Sequence, residues 1–236
     1  AMTRAVESMG LHADMTAGLS LGEYCAIAVA GGMCDLDAIR TVRSRGIFME
    51  HAAPEGSGAM SAVLGMDAAV IEDVLNGREG VSIANYNCPG QIVITGEAAA
   101  VAEAGTALKE AGARRVLPLK VSGPFHSPMM RPAGEELAKV FAGVSMNPLK
   151  VPYVANINAE VITDCGRIEG LLVDQVSGSV RWQQSVETML REGVDTFVEI
   201  GPGKTLTGFL RKIDKNVKAY HIGSWEEAVQ VCEELK

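Results

Sequence analysis

Two strand-to-helix junctions, one near each end of the chain, limit the folds open to this sequence. In "TAGLSLGEY", a short strand over Asp14–Gly18 runs into Gly18-Leu19-Ser20-Leu21-Gly22, and a helix begins at Leu21. In "TFVEIGPGKTLTGFLRKI", the strand Thr196–Ile200 meets Gly201-Pro202-Gly203, and a helix begins near Lys204. Strands that pass into helices through glycine turns are the mark of α/β folds, in which the loops at strand C-terminal ends form the sites. The expectation is an α/β fold whose parallel sheet holds both strands.

Between the junctions the pattern changes. A helix from Leu21 to about Ala30 is stopped by Gly31-Gly32. Asp35 can cap a second helix that reaches about Ala52, with Ile39, Val42 and Met49 along one face. Gly58–Gly65 then reads as a strand, and Asp67 caps a helix that Gly77 ends. Strands Val81–Asn85 and Ile92–Thr95 flank "NCPGQ", where Pro89 and Gly90 suit the centre of a type II turn. An alanine-rich helix over residues 98–111 and the strand "RRVLPLKV" complete the order βαββαβ, that of a ferredoxin-like unit. Residues 52–121 are therefore read as an inserted subdomain within a core made of 1–51 and 122–236.

With 47% hydrophobic residues, the chain can bury a sizeable core. No apolar run approaches the roughly 18 residues of a membrane span. The first residues, AMTRAVESMG, carry Glu7 and read as the middle of a helix, not as a signal peptide. The cysteines, Cys25, Cys34, Cys88, Cys165 and Cys232, are odd in number and form no C-x-x-C, which suits free thiols in a cytoplasmic protein and not a zinc site. A net charge of −8 argues against nucleic acid as a partner.

Ser20 sits in G-x-S-x-G, the pattern of a nucleophile elbow, although a glycine-rich helix cap reads the same way. A serine hydroxyl needs a base to take its proton. His126, in the loop "SGPFHSPMM", is the first candidate and His221 the rival; His12 and His51 read as surface residues. No acid stands where an α/β-hydrolase order would place it, which argues against a plain esterase. Arg45 is either a solvated helix charge or a receptor for a carboxylate, which its rigid fork can hold bidentately. Its neighbour Gly46 costs a helix interior roughly 1 kcal/mol, so some group is expected to approach closely there.

GLSLGEY, RSRGIFMEHA, NYNCPGQIVITG, VSGPFHSPMM, DQVSGSVRW and VEIGPGKTLTGFLRKI occur in this order from Gly18 to Ile213. Together they resemble the signature blocks of malonyl-CoA:acyl carrier protein transacylases and of the related acyltransferase domains of fatty acid and polyketide synthases. The resemblance implies a hydrolase-like core with a ferredoxin-like insertion. It implies that Ser20 carries the acyl group, that His126 is its general base, and that the backbone carbonyl of Gln175 orients the histidine. Read without it, Gln175 is a polar helix residue.

By the same resemblance, Arg45 pairs with the malonyl carboxylate and the Leu21 N–H faces the oxyanion. Asn87, Gln91, Arg114 and Arg115 fall near the pantetheine or CoA phosphates, and Phe125 disfavours a branched acyl group. The implied substrates are malonyl-CoA and phosphopantetheinylated acyl carrier protein, with no metal or redox cofactor and a monomeric enzyme. Arg78, Lys120, Lys204, Arg211 and Lys212 are candidates for a basic carrier-protein dock. Two departures stand out. Leu19 replaces the usual histidine before the serine. A Gly-Gln-Gly-x-Gln block that would supply a second oxyanion N–H does not occur, so about 70 further residues are expected ahead of this sequence. The alternatives are a serine esterase or thioesterase, and an inactive acyltransferase-like docking module.

Overall fold

A computed structural model describes residues 1–235. The chain opens with α1 (Met2–Ser8), β1 (Thr16–Ala17), α2 (Leu21–Val29) and α3 (Asp35–His51). It continues through β2 (Gly58–Leu64), α4 (Ala68–Leu75), β3 (Val81–Cys88), β4 (Gln91–Glu97), α5 (Ala98–Glu110) and β5 (Arg115–Pro118). Next come α6 (Arg131–Phe141), β6 (Tyr153–Val154), β7 (Val161–Ile162), α7 (Ile168–Ser177) and α8 (Trp182–Arg191). The last elements are β8 (Thr196–Ile200), α9 (Thr205–Ile213), β9 (Lys218–Ile222) and α10 (Trp225–Glu234).

The strands from Gly58 to Pro118 form a four-stranded antiparallel sheet in the order β3-β4-β2-β5. Helices α4 and α5 cover one face through a core that includes Ile71, Ile94, Val101 and Leu108. β3 runs to Cys88 and β4 starts at Gln91, so the strands reach further than their sequence signals and leave Pro89-Gly90 alone as the turn. Gly90 has φ +71, the value that position of a type II turn requires. On the other side of this sheet, Phe125 packs against Met60, Ala84 and Val93, and it also touches the core of the helical layer.

The expectation of one parallel sheet is corrected. β1 pairs in parallel with β6, and β6 pairs antiparallel with β7; β8 and β9 form a separate parallel pair. β1 contributes only Thr16 and Ala17 to its ladder, because the backbone turns out of the strand at Gly18. Around the first of these sheets, α2, α3, α6 and α7 bury Tyr24, Ile27, Leu137, Tyr153 and Leu172 in the largest core. Helices α8 and α9 pack Trp182, Val186, Phe209 and Leu210 between the sheets.

Three local readings also change. Cys34, not Asp35, caps α3: its sulfur accepts from the Asp37 N–H, while Asp35 occupies the first helical turn. Ile39 is 67% exposed, because the buried stripe of α3 runs through Ala38, Thr41, Arg45 and Met49. Nothing lies within 4 Å of the position a Cβ would take at Gly46, so no group approaches there. That face of the helix is open.

Candidate active site

The first glycine of G-x-S-x-G is fixed by sterics. A Cβ on Gly18 would lie 2.0 Å from the Gly22 carbonyl oxygen and 2.7 Å from the Glu23 nitrogen, both backbone atoms that cannot yield. The turn is that tight because Ser20 takes φ +53 and ψ −102, outside the regions an L-residue prefers. Such strain persists only when neighbours over-determine the backbone. Here Asn156, fully buried, does so: its Oδ1 accepts the Ser20 N–H at 2.6 Å, and its Nδ2 donates to the Gly18 carbonyl at 2.7 Å.

Ser20 Oγ lies 2.7 Å from His126 Nε2. His126 also has a positive φ, +60, held in a loop where Ser127 Oγ donates to the Pro124 carbonyl. Its Nδ1 lies 2.9 Å from the Gln175 carbonyl oxygen. A carbonyl can only accept, so Nδ1 carries the proton and Nε2 keeps its lone pair toward the serine. Burial first, and then the positive charge of Arg45, push the histidine down to about 4. At neutral pH it is an unprotonated base.

Arg45 is buried beneath this pair. Its Nη2 donates to Ser20 Oγ at 2.9 Å and to Gln175 Oε1 at 3.0 Å, while its Nε has no partner among the described residues. The guanidinium lies 5.7 Å from the centre of the Tyr24 ring. Burial lowers its affinity for the proton, yet it remains a cation. Ser20 Oγ thus receives a hydrogen bond from a cation and points its own proton at a base, which favours charge building on the oxygen.

Glu23, a residue that sequence reasoning passed over, is fully buried behind the site. One carboxylate oxygen accepts Gln175 Nε2 at 2.7 Å, and the other accepts the Asn156 N–H at 3.3 Å. Burial drives this carboxyl up to about 7, against the pull of those bonds and of Arg45. In sequence, an acid in the first turn of a helix reads as a solvated partner for the helix dipole, and Asn156 carries no spacing signal at all.

The remaining candidates fall elsewhere. Leu21 is 52% exposed at the start of α2, with its side chain toward solvent. Asn87 is buried at the end of β3, and Gln91 accepts from Lys212 Nζ at 3.2 Å. Arg114 and Arg115 are exposed at the start of β5. Asn87, Gln91, Arg114 and Arg115 make no bond to the Ser20 cluster among the described residues. His221 is not the base: its Nε2 meets the Gly201 carbonyl at 3.0 Å, and Glu227 lies 3.4 Å from its Nδ1. His12 and His51 are exposed.

Beyond the GPGKT turn, Glu199 fills the N-terminus of α9. It accepts from the Leu206 and Thr207 N–H groups at 3.0 and 2.7 Å. A surface hollow of about 500 Å³ beside Glu72, Tyr86 and Ser179 includes none of the Ser20 cluster. Among the described residues, no group of three or more His, Cys, Asp or Glu is arranged to hold a metal ion, and no helix is long and apolar enough to cross a membrane.

The family described as acyl transferase domain matches residues 1–231. The chain is 43% identical to the malonyl CoA-acyl carrier protein transacylase of Bacillus subtilis, across 100% of this chain and 76% of that protein. It is 46% identical over 203 residues to the transacylase of the same name from Escherichia coli K12, covering 84% of this chain and 65% of that protein. A solved structure of a type II polyketide synthase acyl-carrier protein in complex with its malonyl-transacylase matches with a TM-score of 0.92 at 38% identity, covering 99% of this chain and 77% of that one.

Proposed function

The chain belongs to the acyl transferase domain family, and from that premise we propose that it transfers a malonyl group from malonyl-CoA to the phosphopantetheine thiol of acyl carrier protein through an ester on Ser20. The observation that carries the reading is the Ser20–His126–Gln175 chain of bonds with Arg45 on the serine oxygen. His126 Nε2 takes the Ser20 proton as Oγ attacks the thioester carbon, and the same proton leaves with the CoA sulfur. The second half runs in reverse: the pantetheine thiol gives its proton to His126, attacks the ester and frees Ser20. The Leu21 N–H, at the positive end of α2, is the proposed donor to the oxyanion.

Arg45 is the proposed receptor for the free carboxylate of the malonyl group, with its unpartnered Nε as the spare donor. A carboxylate there neutralises the charge that helps depress His126, so a malonyl substrate raises the basicity of the very group that must take the proton. These proton and charge movements call on no metal or redox group. Asn87, Gln91, Arg114 and Arg115 are proposed to lie along the path of the pantetheine arm and phosphates. Phe125, packed beside the base, is proposed to crowd a branched acyl group. We also propose a hydrolase-like core over 1–51 and 122–236, a ferredoxin-like subdomain over 52–121, and a monomeric, cytoplasmic protein. The strand order β3-β4-β2-β5 supports the subdomain.

Intact-mass measurement after mixing with malonyl-CoA tests the central claim. The expected result is a single malonyl adduct that Ser20→Ala abolishes and that added acyl carrier protein discharges. An adduct that survives in Ser20→Ala, or turnover to free malonate faster than transfer, would overturn it in favour of another nucleophile or of a thioesterase.

A further inference from the structure

The Gln175 side chain is the least explained part of the site. Only its backbone carbonyl bonds to His126, yet its amide is fully buried between Glu23 and Arg45. Nε2 donates to the Glu23 carboxylate at 2.7 Å and to the Ser20 carbonyl at 2.9 Å, while Oε1 accepts from Arg45 Nη2 at 3.0 Å. An amide can be turned over at little cost in shape, so its orientation is set by its partners. The Glu23 carboxylate and the Ser20 carbonyl can only accept, and Arg45 can only donate. The carboxylate and the Ser20 carbonyl together hold Nε2 and so leave Oε1 to the arginine, and of the two the carboxylate supplies the shorter, charge-assisted bond.

We propose that Glu23 is a positioning residue for acyl selectivity: through the Gln175 amide it aims Arg45 at the carboxylate of the incoming acyl group. The inference rests on the reading of Arg45 as the carboxylate receptor. Glu23 lies beside the reacting groups without touching them, and it acts through a side chain that it helps to hold. In Glu23→Gln that charge-assisted bond is lost, and turning the amide over to meet the new NH₂ would set Gln175 Oε1 against the Ser20 carbonyl and Nε2 against Arg45. Either way the amide holds the arginine less firmly.

Protonation of Glu23 has the same consequence, because it removes the charge from the bond to Gln175 Nε2. The other ionisable groups around the carboxyl keep their state near neutral pH. Arg45 on α3 stays charged, Tyr24 on α2 and Tyr153 on β6 are driven upward by burial, and His126 is held near 4. Glu23 itself titrates at about 7.

The test compares kcat/KM for malonyl-CoA and acetyl-CoA, read from adduct formation in the parent chain, Glu23→Gln and Gln175→Met. The methionine variant removes the amide and keeps the backbone carbonyl that faces His126. A hydrogen bond to a charged group is worth about tenfold or more. Both variants should therefore lower the malonyl-to-acetyl ratio by at least about tenfold. In the parent the ratio should fall as pH drops through 7; in Gln175→Met it should be low and flat. Equal losses for both substrates in both variants would make Glu23 merely structural and overturn the inference while leaving acyl transfer intact. A parent chain that forms no adduct would sink the acyl-transfer reading, and this inference with it.

Discussion

At the scale of the residue, Arg45 carries the sharpest expectation. Its charge is buried, and its partners are a hydroxyl, an amide and an aromatic face, with no carboxylate within ion-pair distance among the described residues. A substrate carboxylate would complete it. Removing one member of a buried charge pair costs roughly 3–5 kcal/mol, because the other is left unpaired. Arg45→Ala should thus lower kcat/KM for malonyl-CoA by about 10²-fold or more relative to acetyl-CoA, which has no carboxylate to strand. Parallel kinetics with the two thioesters read this directly, and an equal drop for both would assign Arg45 to holding Ser20 alone.

At the scale of the element, the two glycines of the turn are not equivalent. Gly18 meets backbone, whereas a Cβ on Gly22 meets nothing within 4 Å. Gly18→Ala should open the junction between β1 and α2, lowering the melting temperature and abolishing acylation. Gly22→Ala should fold at least as stably as the parent, since alanine favours a helix by about 1 kcal/mol over glycine. Thermal melts of the two variants separate the cases, and similar losses in both would show that the turn needs glycine for a reason other than this contact.

At the scale of the whole molecule, two buried groups oppose each other. Glu23 is raised from 4.5 to about 7, so the folded state holds the extra proton and stability falls as pH rises across that window. His126 is lowered from 6.5 to about 4, so the unfolded chain holds the extra proton and stability rises across its window. Each effect is on the order of 3 kcal/mol, and they cancel over most of the shared range. Relative to the parent, Glu23→Gln should gain stability between pH 4.5 and 7, and His126→Asn should lose it between pH 4 and 6.5. Urea midpoints at several pH values measure both; parallel curves would mean that neither group is perturbed.

The charge of the whole chain sets a further expectation. With a net −8, docking of an acidic carrier protein needs a local basic surface. Lys204 and Lys212 are partly engaged, with Glu227 and Gln91, while Arg78, Lys120 and Arg211 stand exposed. Raising salt should slow transfer to the carrier protein more than acylation by malonyl-CoA. Equal salt dependence of the two half-reactions would count against an electrostatic dock.

What the sequence determined by itself is local. Glycine at 18 and 90, proline at 89 and the helical periods act within a few residues, so the turns and the order of elements from Leu21 to Pro118 were legible, whereas α6 to α8 and the short strands between them were not. Local pattern offered Ser20, His126 and Arg45 as candidates with alternatives left open, the resemblance gave them roles and added Gln175, and the structure brings these four together across 155 residues of chain. Only the tertiary structure decided what lies buried. Glu23 and Asn156 look solvated in sequence, because a lone polar residue can enter a core only with partners that arrive from distant segments. Ile39 and Gly46 err in the opposite sense: an apolar residue and a helix glycine suggested contact, and α3 turns both toward solvent. The split of the parallel strands into two pairs was likewise beyond local pattern, since a strand's neighbours are chosen by the packing of helices remote in the chain.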